Sequence, residues 1–169
     1  MRLLITGASG FIGRNVLVRA PRDWDIAAVY NGAADFPAFV ERQQLTHVRA
    51  VRCDLTSAVD VQALRAAAGA VDAALYLAAN GDPAASARDP LRDLRLNTVA
   101  ALTFLEHCPV PHLVYLSSGA VYDGLSGTVT PASPVAPHLP YAISKHASER
   151  YIRYYADRRR SPRIGRCES

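Results

Sequence analysis

The stretch that decides the fold is TGASGFIG, residues 6–13, in which Gly7, Gly10 and Gly13 have the spacing GxxGxxG. It follows MRLLIT, an apolar run typical of a short β-strand, and it leads into FIGRNVLVRA, whose apolar residues have helical spacing. Glycines between a strand and a helix let the backbone approach a pyrophosphate at the positive end of the helix dipole. The stretch indicates a dinucleotide-binding loop. The alternative is that its glycines only allow close packing of strand and helix.

Strand and helix patterns alternate along the rest of the chain. Further strands are predicted in DIAAVY (25–30), HVRAVRCDL (47–55), VDAALYLAA (71–79) and PHLVYLSS (111–118). Helices are predicted in FPAFVERQQL, in AVDVQALRAAAG with Gly69 as its stop, over 90–106 and from Pro140 onward. Helical crossovers make neighbouring strands parallel. We therefore predict an α/β fold, a Rossmann-type doubly wound sheet of about five strands in the order 3-2-1-4-5. The helix over 90–106 is expected to place its leucines and Val99 near one face: Leu91, Leu94, Val99, Leu102 and Leu105.

Length and composition favour one soluble domain. The chain has 169 residues, half of them apolar, which suffices for one core. No apolar run reaches the roughly 18 residues of a membrane span, and no signal-peptide pattern is present, so we expect a cytoplasmic protein without a membrane partner. Cys53, Cys108 and Cys167 form no CxxC pair, so neither a disulfide framework nor a metal site is expected.

The net positive charge of the chain comes from its last twenty residues. The net charge is +4, and residues 150–169 contain seven of the eighteen arginines. Up to residue 149 the chain is close to neutral. Because no recognition motif accompanies these arginines, we expect no nucleic-acid partner.

The only lysine of the chain, Lys145, follows Tyr141 by four residues in PYAISK. Residues four apart share a helix face, so the phenol and the ammonium converge. A free tyrosine has a pKa of about 10, so use of a tyrosine as a base near neutral pH requires a nearby cation. A compact ammonium approaches a phenol and a ribose hydroxyl in a geometry that the planar guanidinium of arginine does not offer.

Three positions bear on the adenosine half of a dinucleotide. The end of the second strand, where an acidic residue often binds the ribose, holds Tyr30 and Asn31, so NAD and NADP both stay open as cofactors. Arg14 is either a phosphate ligand or an ordinary solvated helix residue. Asp54 either accepts the adenine amino group or serves as a helix cap or loop aspartate.

These motifs together resemble a known family. TGASGFIG, CDL, LYLAA, LNTVAALTFLE, VYLSSGAVYDG and PYAISK occur in the order and spacing of extended short-chain dehydrogenases/reductases of the NAD(P)-dependent epimerase/dehydratase group, which act on nucleotide sugars. The resemblance covers about residues 2 to 157. It implies an oxidoreductase-type enzyme with NAD or NADP as cofactor, a nucleotide-sugar substrate and a possible homodimer through the helix over 90–106 and the helix after Tyr141.

The resemblance also implies site residues. Tyr141 is the general acid/base, Lys145 binds the nicotinamide ribose and promotes ionisation of the phenol, and Ser118 rather than Ser117 is the catalytic serine. Ser118 as a strand-end cap and Asn97 as a plain polar helix residue are the alternatives. The implied cofactor-binding residues are Gly7, Gly10, Phe11, Ile12, Gly13, Arg14, Asp54, Leu55, Leu77, Ala78, Ala79, Asn97, Tyr141 and Lys145.

The chain departs from the family pattern in several places. Tyr76, Ala100 and Tyr30 stand where the family often has histidine, glycine and aspartate. After the YxxxK helix the chain reads RRRSPRIGRCES instead of continuing into a sixth strand and a substrate lobe. We therefore expect a dinucleotide-binding domain over residues 1–157 and a basic irregular tail over 158–169. We hypothesise that this tail is the frameshifted or mispredicted end of a longer enzyme. Two hypotheses follow, a nucleotide-sugar enzyme and a non-catalytic dinucleotide-binding remnant or sensor. A fifth strand left at the edge of the sheet also predicts self-association.

Overall fold

Five parallel strands form the sheet in the order β3-β2-β1-β4-β5, as predicted. The computed structural model describes residues 1–160, and the side chains of residues 1–158. The strands are β1 (Arg2–Thr6), β2 (Asp25–Tyr30), β3 (Val48–Arg52), β4 (Ala73–Tyr76) and β5 (His112–Tyr115). Strand order reverses beside β1, and such a switch point opens a crevice at the carboxyl ends of the strands.

Seven α-helices connect and cover the strands in the described part of the chain. They are α1 (Phe11–Arg19), α2 (Phe36–Arg42), α3 (Ala58–Ala68), α4 (Pro83–Arg88), α5 (Pro90–Leu94), α6 (Ala100–His107) and α7 (Pro140–Arg160). A π-helical segment (Arg95–Val99) joins α5 to α6, and a 3₁₀ helix (Gly119–Tyr122) follows β5. Helix α3 begins at the Ser57 cap and ends at Gly69, whose φ of 67° is the left-handed conformation that glycine favours. Gly69 is thus the predicted stop.

The sheet is buried on both faces because successive side chains of a strand point to opposite sides. Leu3 and Ile5 of β1 pack with Leu17 and Phe36 on the side of α1 and α2. Leu4, between them in sequence, packs with Phe104 and its neighbours on the side of α3 and α6. The two cores hold β1 rigidly, so the loop that follows it has a fixed starting point.

The helical region over 90–107 differs from its predicted apolar face. Leu105 is buried, but Leu94 and Val99 are exposed and Leu91 is 68% exposed. The π-helical segment adds a residue to one turn and so changes which positions face inward. The inward face carries polar side chains that find hydrogen-bond partners on neighbouring elements, chiefly Asp93, Asn97 and Thr98.

Helix α7 begins at Pro140, so Tyr141 lies in its first turn as predicted. The helix continues to Arg160, three residues past the predicted end of the domain, and the rest of the predicted tail lies outside the described residues. Strand β5 pairs with β4 alone among the described strands and carries the exposed side chain of Val114. Among the described helices, none is both long and apolar enough to cross a membrane.

Candidate active site and cofactor cleft

The glycine loop after β1 approaches other backbone segments too closely for side chains. Gly7 has a φ of 65°, and a Cβ there would lie 2.7 Å from the Ala78 nitrogen. A Cβ on Gly13 would lie 2.5 Å from the Ala8 carbonyl oxygen. These contacts support the packing alternative for Gly7 and Gly13, and Gly7 also lines a cleft.

The amino-terminal end of α1 carries no side-chain cap. Its N-cap is Gly10, and no acidic residue lies in its first turn. The first amide groups of a helix lack intrahelical partners and attract anions. Phe11 is 84% exposed and Ile12 is also exposed, so neither side chain packs into the cores. The helix end therefore has the donors that a pyrophosphate needs.

A cleft of about 420 Å³ opens at the carboxyl ends of β1 to β4. This volume lies within the usual range of small-molecule sites. Seven predicted cofactor residues line it, namely Gly7, Gly10, Asp54, Leu55, Leu77, Ala78 and Ala79. The other predicted cofactor residues do not: Phe11, Ile12, Gly13, Arg14, Asn97, Tyr141 and Lys145.

Sequence reasoning missed ten residues of the cleft wall as binding residues: Ser9, Val29, Tyr30, Asn31, Gly32, Cys53, Thr56, Asn80, Leu96 and Ala100. Most of them sit at or just after a strand end. The rule that ligands bind beyond the carboxyl ends of parallel strands identifies that group without any motif. Leu96 and Ala100 come from the helical region, and no sequence signal marks them.

Asp54 follows β3 and lines the cleft in an Asx-type turn. Its Oδ1 atom accepts hydrogen bonds from the Thr56 amide at 2.9 Å and the Thr56 hydroxyl at 2.8 Å. The cap of α3 is Ser57, which accepts from the Asp60 amide. Asp54 is therefore a turn aspartate rather than a helix cap, and its Oδ2 atom accepts no hydrogen bond from the described residues.

Arg14 lies against the loop after β2 rather than in solvent. Its guanidinium donates to Asp35 Oδ2 and to the Ser9 carbonyl oxygen, both at 2.8 Å, and stacks 4.6 Å from the centroid of the Phe39 ring. The hydrogen bond from Arg14 lowers the pKa of the Asp35 carboxyl. Arg14 is thus already paired with an anion, and it does not line the cleft wall that Asn31 and Gly32 help to form.

Lys145 is buried to 2% exposure on the inner face of α7. Its ammonium donates to the Leu116 carbonyl oxygen at 2.7 Å and lies 4.2 Å from the centroid of the Tyr115 ring. Burial lowers the pKa of Lys145 to about 8, against opposing effects of Glu149 and Asp93. A lysine with this pKa is still mostly charged at pH 7.

Tyr141 lies one turn before Lys145 on the same helix. The Lys145 ammonium faces the Tyr115 ring, and Tyr141 interacts electrostatically with the Tyr115 hydroxyl. Chiefly through burial, the pKa of the Tyr115 hydroxyl is raised to about 12; a hydrogen bond with Ser148 opposes this rise, and the charge of Glu149 adds to it. The predicted convergence of Tyr141 and Lys145 on one side of α7 is consistent with this shared neighbour.

The two serines after β5 have different partners. Ser118 Oγ accepts from the Ala120 amide at 3.2 Å and caps the 3₁₀ helix, which agrees with the alternative of a strand-end cap. Ser117 Oγ donates to the Glu149 carboxylate of α7. The 3₁₀ helix packs against α7, so both serines lie in the region of Tyr141 and Lys145.

Asn97 is a connecting residue rather than part of the cleft wall. Its Oδ1 accepts from the Asn80 amide at 2.7 Å, and its Nδ2 donates to Asp93 and to Ser144 of α7. Asn80 itself lines the cleft, so Asn97 joins the cleft to the helix that carries Tyr141 and Lys145. Asn97 is therefore a buried polar helix residue with partners on two other segments, and its predicted role in cofactor binding stays a prediction.

Tyr76, one of the departures from the family pattern, is a core residue at the end of β4. Its ring packs edge-on against Phe104, and its buried hydroxyl has no hydrogen-bond partner among the described residues. Burial raises the pKa of this hydroxyl. Tyr76 therefore fills space beneath the cleft.

The sequence matches the family described as the NAD dependent epimerase/dehydratase family over residues 3–169. The chain belongs to this family. Among curated epimerase/dehydratase relatives, it is 30% identical over 166 residues to a dTDP-glucose 4,6-dehydratase of Mycobacterium tuberculosis, an alignment that covers 90% of the chain and 48% of that protein. The chain spans about half the length of the curated relatives it matches. The prediction of NAD or NADP as cofactor agrees with the family.

Solved structures of epimerases have the same fold. The UDP-Glc/GlcNAc 4-epimerase of Campylobacter jejuni superposes with a TM-score of 0.86 at 27% identity, covering 93% of this chain and 49% of that one. The UDP-glucose 4-epimerase of Thermus thermophilus, solved in complex with NAD, superposes with a TM-score of 0.80 at 29% identity, covering 94% and 51%. These matches confirm the predicted Rossmann-type fold and the nucleotide-sugar epimerase/dehydratase family.

Proposed function

We propose that this epimerase/dehydratase-family chain binds a nicotinamide dinucleotide in the cleft beyond β1 to β4 and acts on a nucleotide sugar by hydride transfer. The observation that carries the proposal is the burial of the single lysine, Lys145, against Tyr115 one turn after Tyr141. Burying an ammonium costs several kcal/mol of folding free energy. This cost favours a functional role for Lys145 over an incidental one.

The cleft suits the cofactor in shape and in donors. Gly7 and Gly10 form its wall, and the uncapped amides of α1 meet a pyrophosphate without interference from a side chain. Asp54 Oδ2 is open to the adenine amino group. For the cofactor ribose to reach Lys145, its hydroxyl would have to approach an ammonium that lies outside the cleft wall and donates to the Leu116 carbonyl oxygen.

A bound nicotinamide dinucleotide would supply the hydride acceptor and donor of the reaction. Tyr141 accepts the proton of the sugar hydroxyl as the hydride leaves its carbon, and it gives the proton back on return. The positive charge of Lys145 stabilises the phenolate that this step requires. Ser118 donates a hydrogen bond to the reacting oxygen, while its Oγ atom continues to accept from the Ala120 amide.

A nucleotide sugar is the substrate class that the relatives support. The matched proteins are named for dTDP-glucose and for UDP-glucose or UDP-GlcNAc. We place the enzyme in the cytoplasm, since Cys53 and Cys108 are both unpaired, buried thiols.

A second candidate is dinucleotide binding without turnover. This candidate is favoured because the chain spans only about half the length of its curated relatives. Turnover of UDP-glucose and dTDP-glucose with NAD or NADP, followed by chromatography of the nucleotides, separates the candidates. We expect conversion by the chain and a loss of about 10²- to 10⁴-fold in Tyr141→Phe with cofactor affinity retained. Cofactor binding without conversion of either sugar supports the second candidate and overturns the first.

A homodimer is part of the proposal. Large apolar side chains are exposed on neighbouring helices, namely Leu91, Leu94 and Val99 over 90–107 and Ile143, Tyr151 and Tyr154 on α7. Exposed apolar patches of this kind mark interfaces. Sedimentation should show a dimer that Leu91→Asp dissociates and that Val59→Asp, an exposed site on α3, leaves intact. A wild-type monomer at high concentration would contradict this interface.

A further inference from the structure

Asp93 of α5 is a buried carboxylate that no motif marks. It is 1% exposed. Its Oδ1 atom accepts hydrogen bonds from Ser86 Oγ at 2.6 Å, Asn97 Nδ2 at 2.8 Å and Asn80 Nδ2 at 3.4 Å. Its Oδ2 atom is buried and has no hydrogen-bond partner within the described part of the chain. Burial of a charge costs free energy unless it is paired, so this carboxylate requires an explanation.

The hydrogen bonds of Asp93 lead to the first turn of α7. Asn97, which donates to Asp93, also donates to Ser144 Oγ at 3.0 Å. Ser144 in turn donates to the Tyr141 carbonyl oxygen at 2.9 Å and precedes Lys145 in sequence. Thr98 Oγ1 donates to the Ser144 carbonyl oxygen at 3.0 Å. The first two turns of α7, which carry Tyr141 and Lys145, are therefore fixed through a network that begins at Asp93.

The charge of Asp93 also acts on Lys145. Glu149 from its own helix and Asp93 from α5 act electrostatically on Lys145, and Tyr115 of β5 stacks against its ammonium. Tyr141, four residues earlier, shares the same face of α7. Glu149 is partly exposed, and its carboxylate also accepts from Ser117 and lies 3.6 Å from His146. Asp93 is the fully buried anion of the set. Because less solvent screens a buried charge, its effect on Lys145 persists at high salt.

We propose that Asp93 is a positioning residue for Lys145, which anchors the first turn of α7 through Asn97 and Ser144 and supplies the buried negative charge that balances the ammonium. The role of Lys145 in catalysis rests on the proposed function, but the charge balance is a property of the folded chain. A merely structural Asp93 acts only as a hydrogen-bond acceptor, and an amide oxygen accepts in the same place. The two roles therefore separate on exchange of the carboxylate for an amide.

The test is an NMR titration of the chain with its lysine ¹³C-labelled at Cε, in which Lys145 gives a single resonance because it is the only lysine. The wild type is expected to titrate with a midpoint of about 8. In Asp93→Asn the midpoint should fall by about half a pH unit or more, because the opposing charge is gone. Ser86→Ala removes a neutral donor from the same network and is the matched control, with an unchanged midpoint.

Amide exchange over residues 143–147 of α7, whose amides have hydrogen-bond partners one turn earlier, tests the anchoring. Asp93→Ala removes both charge and acceptor and should exchange faster there than Asp93→Asn, which keeps an oxygen acceptor. A folded Asp93→Asn whose lysine titrates as in the wild type overturns the proposal, as does an equal shift in Ser86→Ala.

Two further comparisons keep the test decisive. If the Asp93 variants do not fold, the wild-type carboxyl ¹³C resonance of Asp93 should show an inflection at the lysine midpoint, and its absence overturns the charge balance. Calorimetry with NAD is run on the same samples. Failure of the wild type to bind NAD would contradict the proposed function, but the lysine titration would remain valid. Normal NAD binding together with an unchanged lysine titration midpoint in Asp93→Asn would contradict only the proposed role of Asp93.

Discussion

The ammonium of Lys145 lies 4.2 Å from the centroid of the Tyr115 ring, so the helix that carries the candidate acid/base is fixed to the edge strand of the sheet. The contact is a cation–π interaction in a buried site, where its strength is greatest. The same ammonium donates to the Leu116 carbonyl oxygen. The compact ammonium of Lys145 fits between the ring and the carbonyl oxygen. The broader guanidinium of an arginine would not, which explains why this position holds the only lysine of a chain with eighteen arginines.

Lys145→Arg should therefore destabilise the fold and abolish turnover. The larger planar guanidinium overfills the site, at a cost of about 1–3 kcal/mol in the free energy of unfolding. Urea unfolding measures this cost. Arg153→Lys, the reverse exchange at an exposed position of α7, is the control and should stay within about 0.5 kcal/mol. Equal stability of Lys145→Arg and the wild type would show that the site is not shaped for lysine.

Gly13→Ala should weaken both folding and cofactor binding. Its Cβ would lie 2.5 Å from the Ala8 carbonyl oxygen, and the backbone of the loop must move to relieve the contact. We expect a loss of about 1–3 kcal/mol in the free energy of unfolding and a weaker calorimetric signal with NAD. At Gly81 a Cβ would meet nothing within 4 Å, so Gly81→Ala serves as the control. Unchanged affinity in a folded Gly13→Ala speaks against the loop as the pyrophosphate site.

Asp35→Asn should shift cofactor preference toward NADP. Arg14 is paired with Asp35 at 2.8 Å, and this carboxylate both occupies the guanidinium and repels a 2′-phosphate. Its removal frees Arg14 for the phosphate, so the affinity for NADP relative to NAD should rise severalfold. Arg14→Ala in the Asp35→Asn background should reverse the gain. A ratio of affinities that is the same in all three proteins would remove Arg14 from the site.

Alkaline pH should destabilise the fold through Cys53. Burial, together with the charges of Asp60 and Asp54, raises the pKa of this thiol to about 12. The folded chain then holds a proton that the unfolded chain releases, so the stabilising effect is complete below about pH 9 and is lost as the pH rises from 9 toward 12. The stability advantage of the wild type over Cys53→Ala should shrink by up to about 1.4 kcal/mol per pH unit above 9 in urea unfolding. An advantage that does not change with pH would contradict the burial of a protonated thiol.

Much of the fold was predictable because its signals are local. The glycine loop, the alternation of strands and helices, the stop at Gly69 and the start of α7 each depend on a few adjacent residues. The inward face of residues 90–107 was not predictable, because a π-helical segment shifts the pattern and its polar residues are satisfied by partners distant in sequence. For the same reason no sequence signal marks Asp93. Its role depends on Asn97 and Ser144, which only the packing of α7 brings together.

Calorimetric titration of the chain with NAD and with NADP tests the central claim most directly. We expect binding of at least one of them at a single site, with a loss of affinity in Gly13→Ala and none in Gly81→Ala. Failure of the folded wild-type chain to bind either dinucleotide would contradict it.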